Sequence, residues 1–190
     1  MGKLLAAGSN ATAQLATGNT EDCHTWTDCS FSLPVRDLAT GAGHTLVLAE
    51  DGSVWVSGDT SKDQLGGEES CTSLRRFTFP AAYEDYQCVG VSACWETSFF
   101  HMKSQDSTEA DVVLSCGQNA FGELGRPHQA QSDQLDKVEV DAKQATFKHV
   151  IAGMRHALAV ASGDISDAVL GWGAANKGQL GQDRLSKSSL

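Results

Sequence analysis

The sequence predicts an all-β fold, a β-propeller whose blades are small antiparallel sheets. Two phrases, one led by glycine and one ending in an apolar strand, alternate along the chain, and helical periodicity is weak throughout. Short apolar strands bounded by glycine turns, at a period of 50 to 60 residues, are typical of propeller blades. The chain has 19 glycines and 3 prolines in 190 residues, which suits many tight turns in one domain.

The glycine-led phrase is Gly, five variable residues, Gln or Glu, Leu and a small residue. Its four copies keep identical internal offsets, and their leading glycines are 50, 59 and 56 residues apart. We expect each leading glycine to end a strand where the chain turns sharply near its neighbour's backbone. We expect the leucine of each copy to pack between adjacent blades. The glycines are Gly8, Gly58, Gly117 and Gly173, and the leucines are Leu15, Leu65, Leu124 and Leu180.

The second phrase is a run of small residues, a polar residue and an apolar strand, with copies beginning at Ala39, Val91 and Ile151. The first copy predicts a hairpin with strands at 45–49 and 54–57, because Asp51-Gly52 supplies the positive φ angles of a tight turn. In the second copy the hairpin is stretched by the polar run 103–111, a predicted surface loop. The best helical candidate is 131–140.

These phrases predict a single partial propeller domain over 1–190. Its repeat units lie at about 4–57, 58–116 and 117–172, followed by a partial unit at 173–190.

The charge and the N-terminus exclude several kinds of protein. A net charge of −10 does not suit a nucleic-acid surface, which needs clustered Lys and Arg. The opening apolar run 4–7 is too short for a signal peptide or a membrane span. The six cysteines are therefore expected to be reduced thiols in a cytoplasmic or nuclear protein.

Catalytic and cofactor motifs are not found. The sequence has neither a phosphate-binding Gly-x4-Gly-Lys-Ser/Thr loop nor a Gly-x-Ser-x-Gly elbow. The spacings among Cys23, His24 and Cys29, and between Cys88 and Cys94, do not fit a zinc site with two-residue gaps. We therefore expect no catalytic residue, no metal and no cofactor, and we interpret the protein as a non-enzyme.

Two histidines and one Trp-Glu pair stand out within the second phrase. His44 and His156 recur once per unit, which favours a structural, hydrogen-bonded role over catalysis. Trp95 and Glu96 replace the residues expected there, with Glu96 aligned to the two histidines and Trp95 to Gly43 and Arg155. The pair either contacts a partner or fills volume in its blade.

Gly-x5-Gln/Glu-Leu-Gly alternating with Ala-x-Gly-x-x-His-Thr-Leu resembles the regulator-of-chromosome-condensation repeat family, from Leu4 to Gly181. The resemblance implies a propeller of seven blades, of which this chain would supply about three and a half. We expect a truncated product, the alternatives being a fragment or a self-association that covers the open ends.

Within that family, the stretches 4–10 and 94–97 are similar to the fungal alpha-tubulin suppressor subfamily. That similarity implies an accessory role with a small zinc-binding, electron-carrying protein, in Elongator-dependent modification of transfer RNA wobble uridines and in diphthamide synthesis. Two alternatives stay open. One is a guanine-nucleotide exchange factor, the activity of the family's founding member, and the other is an inactive fragment.

Overall fold

A computed structural model describes residues 3–67, 69–106, 109–126, 135–139, 146–162 and 167–181. Regular elements in these ranges are strands, apart from a 3-10 turn at Ala81–Tyr83. The all-β fold expected from the sequence is confirmed. The strands are β1 Leu5–Gly8, β2 Cys23–Asp28, β3 Val35–Thr40, β4 His44–Ala49, β5 Val54–Gly58, β6 Cys71–Arg76, β7 Tyr86–Ala93, β8 Thr97–Ser104, β9 Val112–Gly117, β10 Asp136–Lys137, β11 Thr146–Ala152, β12 His156–Ser162 and β13 Asp167–Gly173.

The strands pair antiparallel with their sequence neighbours and form four sheets. Sheet I is β1–β2, sheet II is β3–β4–β5–β6, sheet III is β7–β8–β9–β10 and sheet IV is β11–β12–β13. The first strand of sheet III, β7, contacts the first strands of sheets II and IV, β3 and β11. Successive sheets are therefore packed side by side like propeller blades.

The middle strands β4 and β8 are largely apolar because both of their faces are buried. Alternate residues of a strand point to opposite faces. In β4, Leu46 and Leu48 belong to a cluster with Phe100 of sheet III, whereas Val47 packs on the other side with Phe31. Burial on both faces removes the polar alternation of a half-exposed strand.

The junction between sheets II and III is filled by large side chains. Phe77 stacks on Phe100 with ring centroids 4.8 Å apart, and Leu65 is fully buried beside them. The junction between sheets III and IV holds Phe99 against Trp172, at a centroid distance of 5.8 Å. Burial of such side chains supplies most of the stabilisation between sheets.

The sheets are offset from the repeat units of the sequence. The outermost strand of sheet II is β6, which lies in the unit 58–116, and the outermost strand of sheet III is β10, which lies in the unit 117–172. β10 also falls inside 131–140, so the helix considered for that segment is wrong over Asp136–Lys137; residues 131–134 and 140 lie outside the described residues. Of the fourth unit, 182–190 likewise lie outside them.

The predicted hairpin is present as β4 and β5, joined by a turn at 50–53 in which Gly52 has φ of 83°. Across the described ranges, the structure contains no helix with the length and apolarity needed to cross a membrane.

Candidate protein-binding face

Three hairpin tips lie side by side at one end of the sheets. The tips 41–43, 94–96 and 153–155 each join the first strand of a sheet to its second strand. Ala42 N donates to Trp95 O at 2.8 Å, and Trp95 N donates to Met154 O at 2.8 Å. We call the surface formed by these tips and the adjoining glycine-led loops 59–66 and 118–125 the hairpin face.

Trp95 lies at the centre of the hairpin face. Its side chain is 44% exposed, although the preceding Cys94 is buried. Trp95, Ala42 and Met154 contribute to a shallow pocket of ≈470 Å³. An indole this exposed does not fill a space in the core. The backbone of Trp95 is hydrogen-bonded to both neighbouring tips.

The structure corrects the alignment of Glu96 by one residue. The carbonyls of His44, Thr97 and His156 each accept a hydrogen bond from the residue three positions earlier, at 2.8 to 2.9 Å. The same three residues face the leading glycines Gly58, Gly117 and Gly173. Thr97 therefore occupies the histidine position, and Glu96 is equivalent to Gly43 and Arg155. Glu96 is half-buried at the tip.

His44 and His156 both pack under the start of their hairpin tip. A Cβ atom on Gly41 would lie 2.1 Å from His44 Cε1, and one on Gly153 would lie 2.4 Å from His156 Cε1. His44 is fully buried, and its Nε2 lies 3.0 Å from Ser98 Oγ of the next sheet. Burial lowers the pKa of His44 to about 4, so the ring is neutral at physiological pH.

The leading glycines end β1, β5, β9 and β13, each with a positive φ between 95° and 122°. A Cβ on Gly58 would lie 2.3 Å from Gly43 O, and one on Gly117 would lie 2.3 Å from Glu96 O. Gly173 approaches Arg155 O in the same way, whereas a Cβ on Gly8 would meet no atom within 4 Å. Both the backbone conformation and the close approach therefore exclude a side chain at three of these positions.

The four leucines differ in burial. Leu65 and Leu124 are fully buried, and Leu65 packs in the cluster between sheets II and III. Leu15 and Leu180 are half-buried.

The Gln or Glu of the glycine-led phrase closes its own loop. In every copy, a side-chain oxygen accepts a hydrogen bond from the backbone N–H two residues earlier, at 2.7 to 3.0 Å. This bond holds the loop while the chain makes two consecutive turns. The acceptors are Gln14, Gln64, Glu123 and Gln179.

The backbone carbonyl of the same residue receives a bond from the next sheet. Thr45 Oγ1 donates to Gln14 O at 2.6 Å, and Ser98 Oγ donates to Gln64 O at 2.6 Å. At the third junction Ala157 has no hydroxyl, and Trp172 Nε1 donates to Glu123 O at 2.9 Å. These donors were not predicted from the sequence, although Thr45 and Ser98 occupy the same position of the second phrase.

Further apolar and charged side chains surround Trp95 on the hairpin face. Met154 is 62% exposed and Phe121 is 43% exposed. The guanidinium carbon of Arg155 lies 4.7 Å from the centroid of the Phe121 ring. Neither Met154 nor Phe121 was singled out from the sequence, and Arg155 was named only as a position aligned with Trp95. The signal available was that each lies at a variable position of its repeat phrase.

The cysteines are free thiols, and most are enclosed. Burial raises the pKa of Cys88, Cys94 and Cys116 to about 12. Within the part of the chain that the structure describes, no three metal-ligating side chains are grouped.

Comparison with known proteins gives relatives along almost the whole chain. Residues 35–64 match the family model of the Regulator of chromosome condensation (RCC1) repeat. An RCC1 repeat-containing protein of Schizosaccharomyces pombe is 32% identical, over 94% of this chain and 50% of that protein. The secretion-regulating guanine nucleotide exchange factor of Mus musculus is 30% identical, over 90% of this chain and 35% of that protein. The chain thus spans half or less of the length of these relatives.

Solved structures give the same fold. Prp20p from Saccharomyces cerevisiae matches with a TM-score of 0.76 at 21% identity, over 95% of this chain and 43% of that chain. Human WBSCR16 matches with a TM-score of 0.68 at 18% identity, over 92% and 48%. Together with the repeat match and the relatives above, these findings show that the chain belongs to the RCC1 repeat family.

Proposed function

We propose that this chain belongs to a non-catalytic accessory protein that binds a protein partner through the hairpin face. The observation that carries the proposal is the exposure of Trp95 and Met154 beside each other, with Glu96 and Arg155 flanking them. Aromatic, Met and Arg side chains are enriched in protein interfaces, and exposed clusters of them mark binding sites.

The backbone bonds through Trp95 add to this argument. Because the tip is hydrogen-bonded on both sides, binding would not have to order it, and little conformational entropy would be lost. The charges of Glu96 and Arg155 beside Trp95 would fix the orientation of the bound partner more than they would raise its affinity.

The partner that we propose is a small zinc-binding, electron-carrying protein. This proposal rests on the similarity of 4–10 and 94–97 to the alpha-tubulin suppressor subfamily. It connects the protein with Elongator and diphthamide synthesis, in the cytoplasm and the nucleus.

The alternative is a regulator of a small GTPase that acts as a guanine-nucleotide exchange factor. The name of the 30% identical mouse relative favours it. A 37% identical segment of the X-linked retinitis pigmentosa GTPase regulator of Mus musculus, over 36% of this chain, favours it as well.

Calorimetric titration of the zinc protein into this chain tests the first proposal. We expect Trp95→Ala to weaken binding by about 2 kcal/mol, the cost typical of an interface hot spot. Trp26→Ala is the matched control, since Trp26 is 74% exposed on β2 and lies outside the hairpin face. Equal losses in the two variants would contradict the assignment of the face.

Release of labelled nucleotide from a Ran-type GTPase, with and without the chain, tests the alternative. Acceleration of release without binding to the zinc protein would favour the exchange factor. If neither partner responded, both proposals would be wrong.

A further inference from the structure

His101 is a polar residue at an apolar position of the repeat. It pairs with Val113 as Leu48 pairs with Val54 and as Val160 pairs with Val169. The residue is 9% exposed, and its Nε2 makes no hydrogen bond. The nearest recorded ionic partner, Asp111 Oδ2, lies 3.7 Å away, beyond hydrogen-bond distance. Packing alone would be served better by the Leu or Val of the other sheets, because a buried polar group without a full set of bonds costs free energy.

A cleft of ≈570 Å³ opens beside His101. It reaches from β3 to β11 across the first strands of three sheets. Val91 and Phe147 supply apolar wall. This volume lies in the range of sites for small molecules, which combine apolar walls with a few convergent polar groups.

Smaller side chains border the junction next to the cleft. In β12, Ala159 and Ala161 occupy the positions that Phe100 and Met102 hold in β8. The middle strand of sheet IV therefore presents smaller side chains to sheet III than β8 presents to sheet II.

The cleft collects positive charge in an acidic protein. Its lining contains Arg36, Lys103 and Lys148, one from each of three sheets, against the two carboxylates of Asp37 and Asp111. The chain as a whole has a net charge of −10. A positive lining of a concave, partly apolar surface concentrates the field and favours an anion.

The Asp37 carboxylate in the lining already has hydrogen-bond donors. Asp37 accepts hydrogen bonds from its neighbour Leu38 N at 2.9 Å and from Val91 N at 3.2 Å. Arg36 and Lys148 contact Glu50 and Asp167, which lie outside the lining. Such exposed ion pairs contribute little, so both cations can turn to a ligand at low cost.

We propose that this cleft binds a small organic anion, in which a carboxylate or phosphate is attached to an apolar body. The anionic group meets Lys103, Arg36 and Lys148, and the exposed His149 lies on the same rim. The apolar body lies against Val91 and Phe147 and covers His101, whose Nε2 gains a hydrogen-bond partner from the ligand. This site is separate from the hairpin face and does not depend on its function.

Titration with phenyl phosphate, benzoate and inorganic phosphate tests the proposal. We expect one of the two aromatic anions to bind, and the tighter one identifies the anionic group. Lys103→Gln weakens that binding by about tenfold, as expected for loss of a close charge contact. The matched control is Lys3→Gln, which removes the same charge from the pair with Asp28 in sheet I. No binding of either aromatic anion at millimolar concentration, or equal affinity in Lys103→Gln and wild type, overturns the proposal.

A second variant keeps the test independent of charge. His101→Leu installs the residue type that Leu48 has at the equivalent position, so the fold is retained. We expect the affinity of the aromatic anion to fall, with amide chemical-shift changes in the wild type centred on Val91 and Phe147. Changes centred on Trp95, or unaltered affinity in His101→Leu, contradict the assignment.

Discussion

His44 Nε2 and Ser98 Oγ lie 3.0 Å apart inside the junction between sheets II and III. The Ser98 hydroxyl donates its one proton to Gln64 O at 2.6 Å, so His44 must be the donor in its bond to Ser98. The ring therefore carries its proton on Nε2. His44 Nδ1 is buried without a hydrogen-bond partner, so a second proton on the ring would have no acceptor.

The first prediction concerns pH. The pKa of His44 falls from 6.5 in the unfolded chain to about 4 in the fold, so the unfolded chain binds the extra proton first. The contribution of His44 is thus fully present above pH 6.5 and is lost as the pH falls towards 4, by about 3 kcal/mol. Urea unfolding across this window measures the loss. In His44→Gln the decline should be smaller by that amount, and a parallel decline in both proteins would contradict the prediction.

The second prediction separates backbone conformation from close approach. Gly58 and Gly8 hold the same repeat position with φ of 115° and 122°, but only Gly58 has a carbonyl where a Cβ would lie. We expect Gly8→Ala to cost about 1 kcal/mol and Gly58→Ala about 3 kcal/mol or more. Free energies of unfolding for the two variants check this. Equal costs would show that the neighbouring strand yields to the added methyl group.

The third prediction concerns the indole N–H of Trp172, which donates to the Glu123 carbonyl at the junction between sheets III and IV, where Ala157 has no hydroxyl. Trp172→Phe keeps an aromatic ring but leaves the Glu123 carbonyl without the indole donor, which should cost about 2 kcal/mol. Trp55→Phe is the control, because the indole of Trp55 bonds only to Ser53 Oγ in its own turn. Denaturant unfolding of both variants measures the difference. A larger loss in Trp55→Phe would argue against a special role for the junction bond.

The fourth prediction concerns thiol reactivity. Because burial raises the pKa of Cys88, Cys94 and Cys116 to about 12, their thiolates are scarce in the fold. Alkylation at pH 8 followed by peptide mass mapping should label Cys23, which is half-buried at the start of β2, well before these three. In urea all sites should react at similar rates. Early labelling of Cys116 in the native protein would contradict the burial of its junction.

The repeat phrases were enough to predict the all-β fold, the β4–β5 hairpin and the positions of the leading glycines. The outermost strands β2, β6 and β10 contain no part of either phrase, so they were not predicted. Identical offsets of Gly58 and Gly117 required identical geometry, and the structure has it. The alignment of the second phrase was harder to predict. Trp95 and Glu96 interrupt the similarity of this copy to the copies that contain His44 and His156. The bond to the Thr97 carbonyl and the pairing of Thr97 with Gly117 show which residue follows the tip.

The surface properties could not be predicted in the same way. A repeat pattern reports on positions that every copy shares, whereas Met154, Phe121 and His101 each occur in one copy alone. Their exposure and neighbours depend on how sheets from distant parts of the chain meet. In the sequence, His101 is a single polar residue within the apolar strand β8. The cleft beside it is lined by β3 and β11 as well, so β8 alone does not indicate it.

The offset between repeat units and sheets bears on how such a chain can change length. The glycine-led loop after β5 carries the backbone onward to β6, which closes the sheet that the preceding unit began. If one whole repeat unit were gained or lost by recombination, every sheet would still have its outermost strand. The unit that then follows the sheet would supply an equivalent strand. The repeat unit of the sequence and the sheet of the fold thus begin at different residues, and each unit links two consecutive sheets covalently.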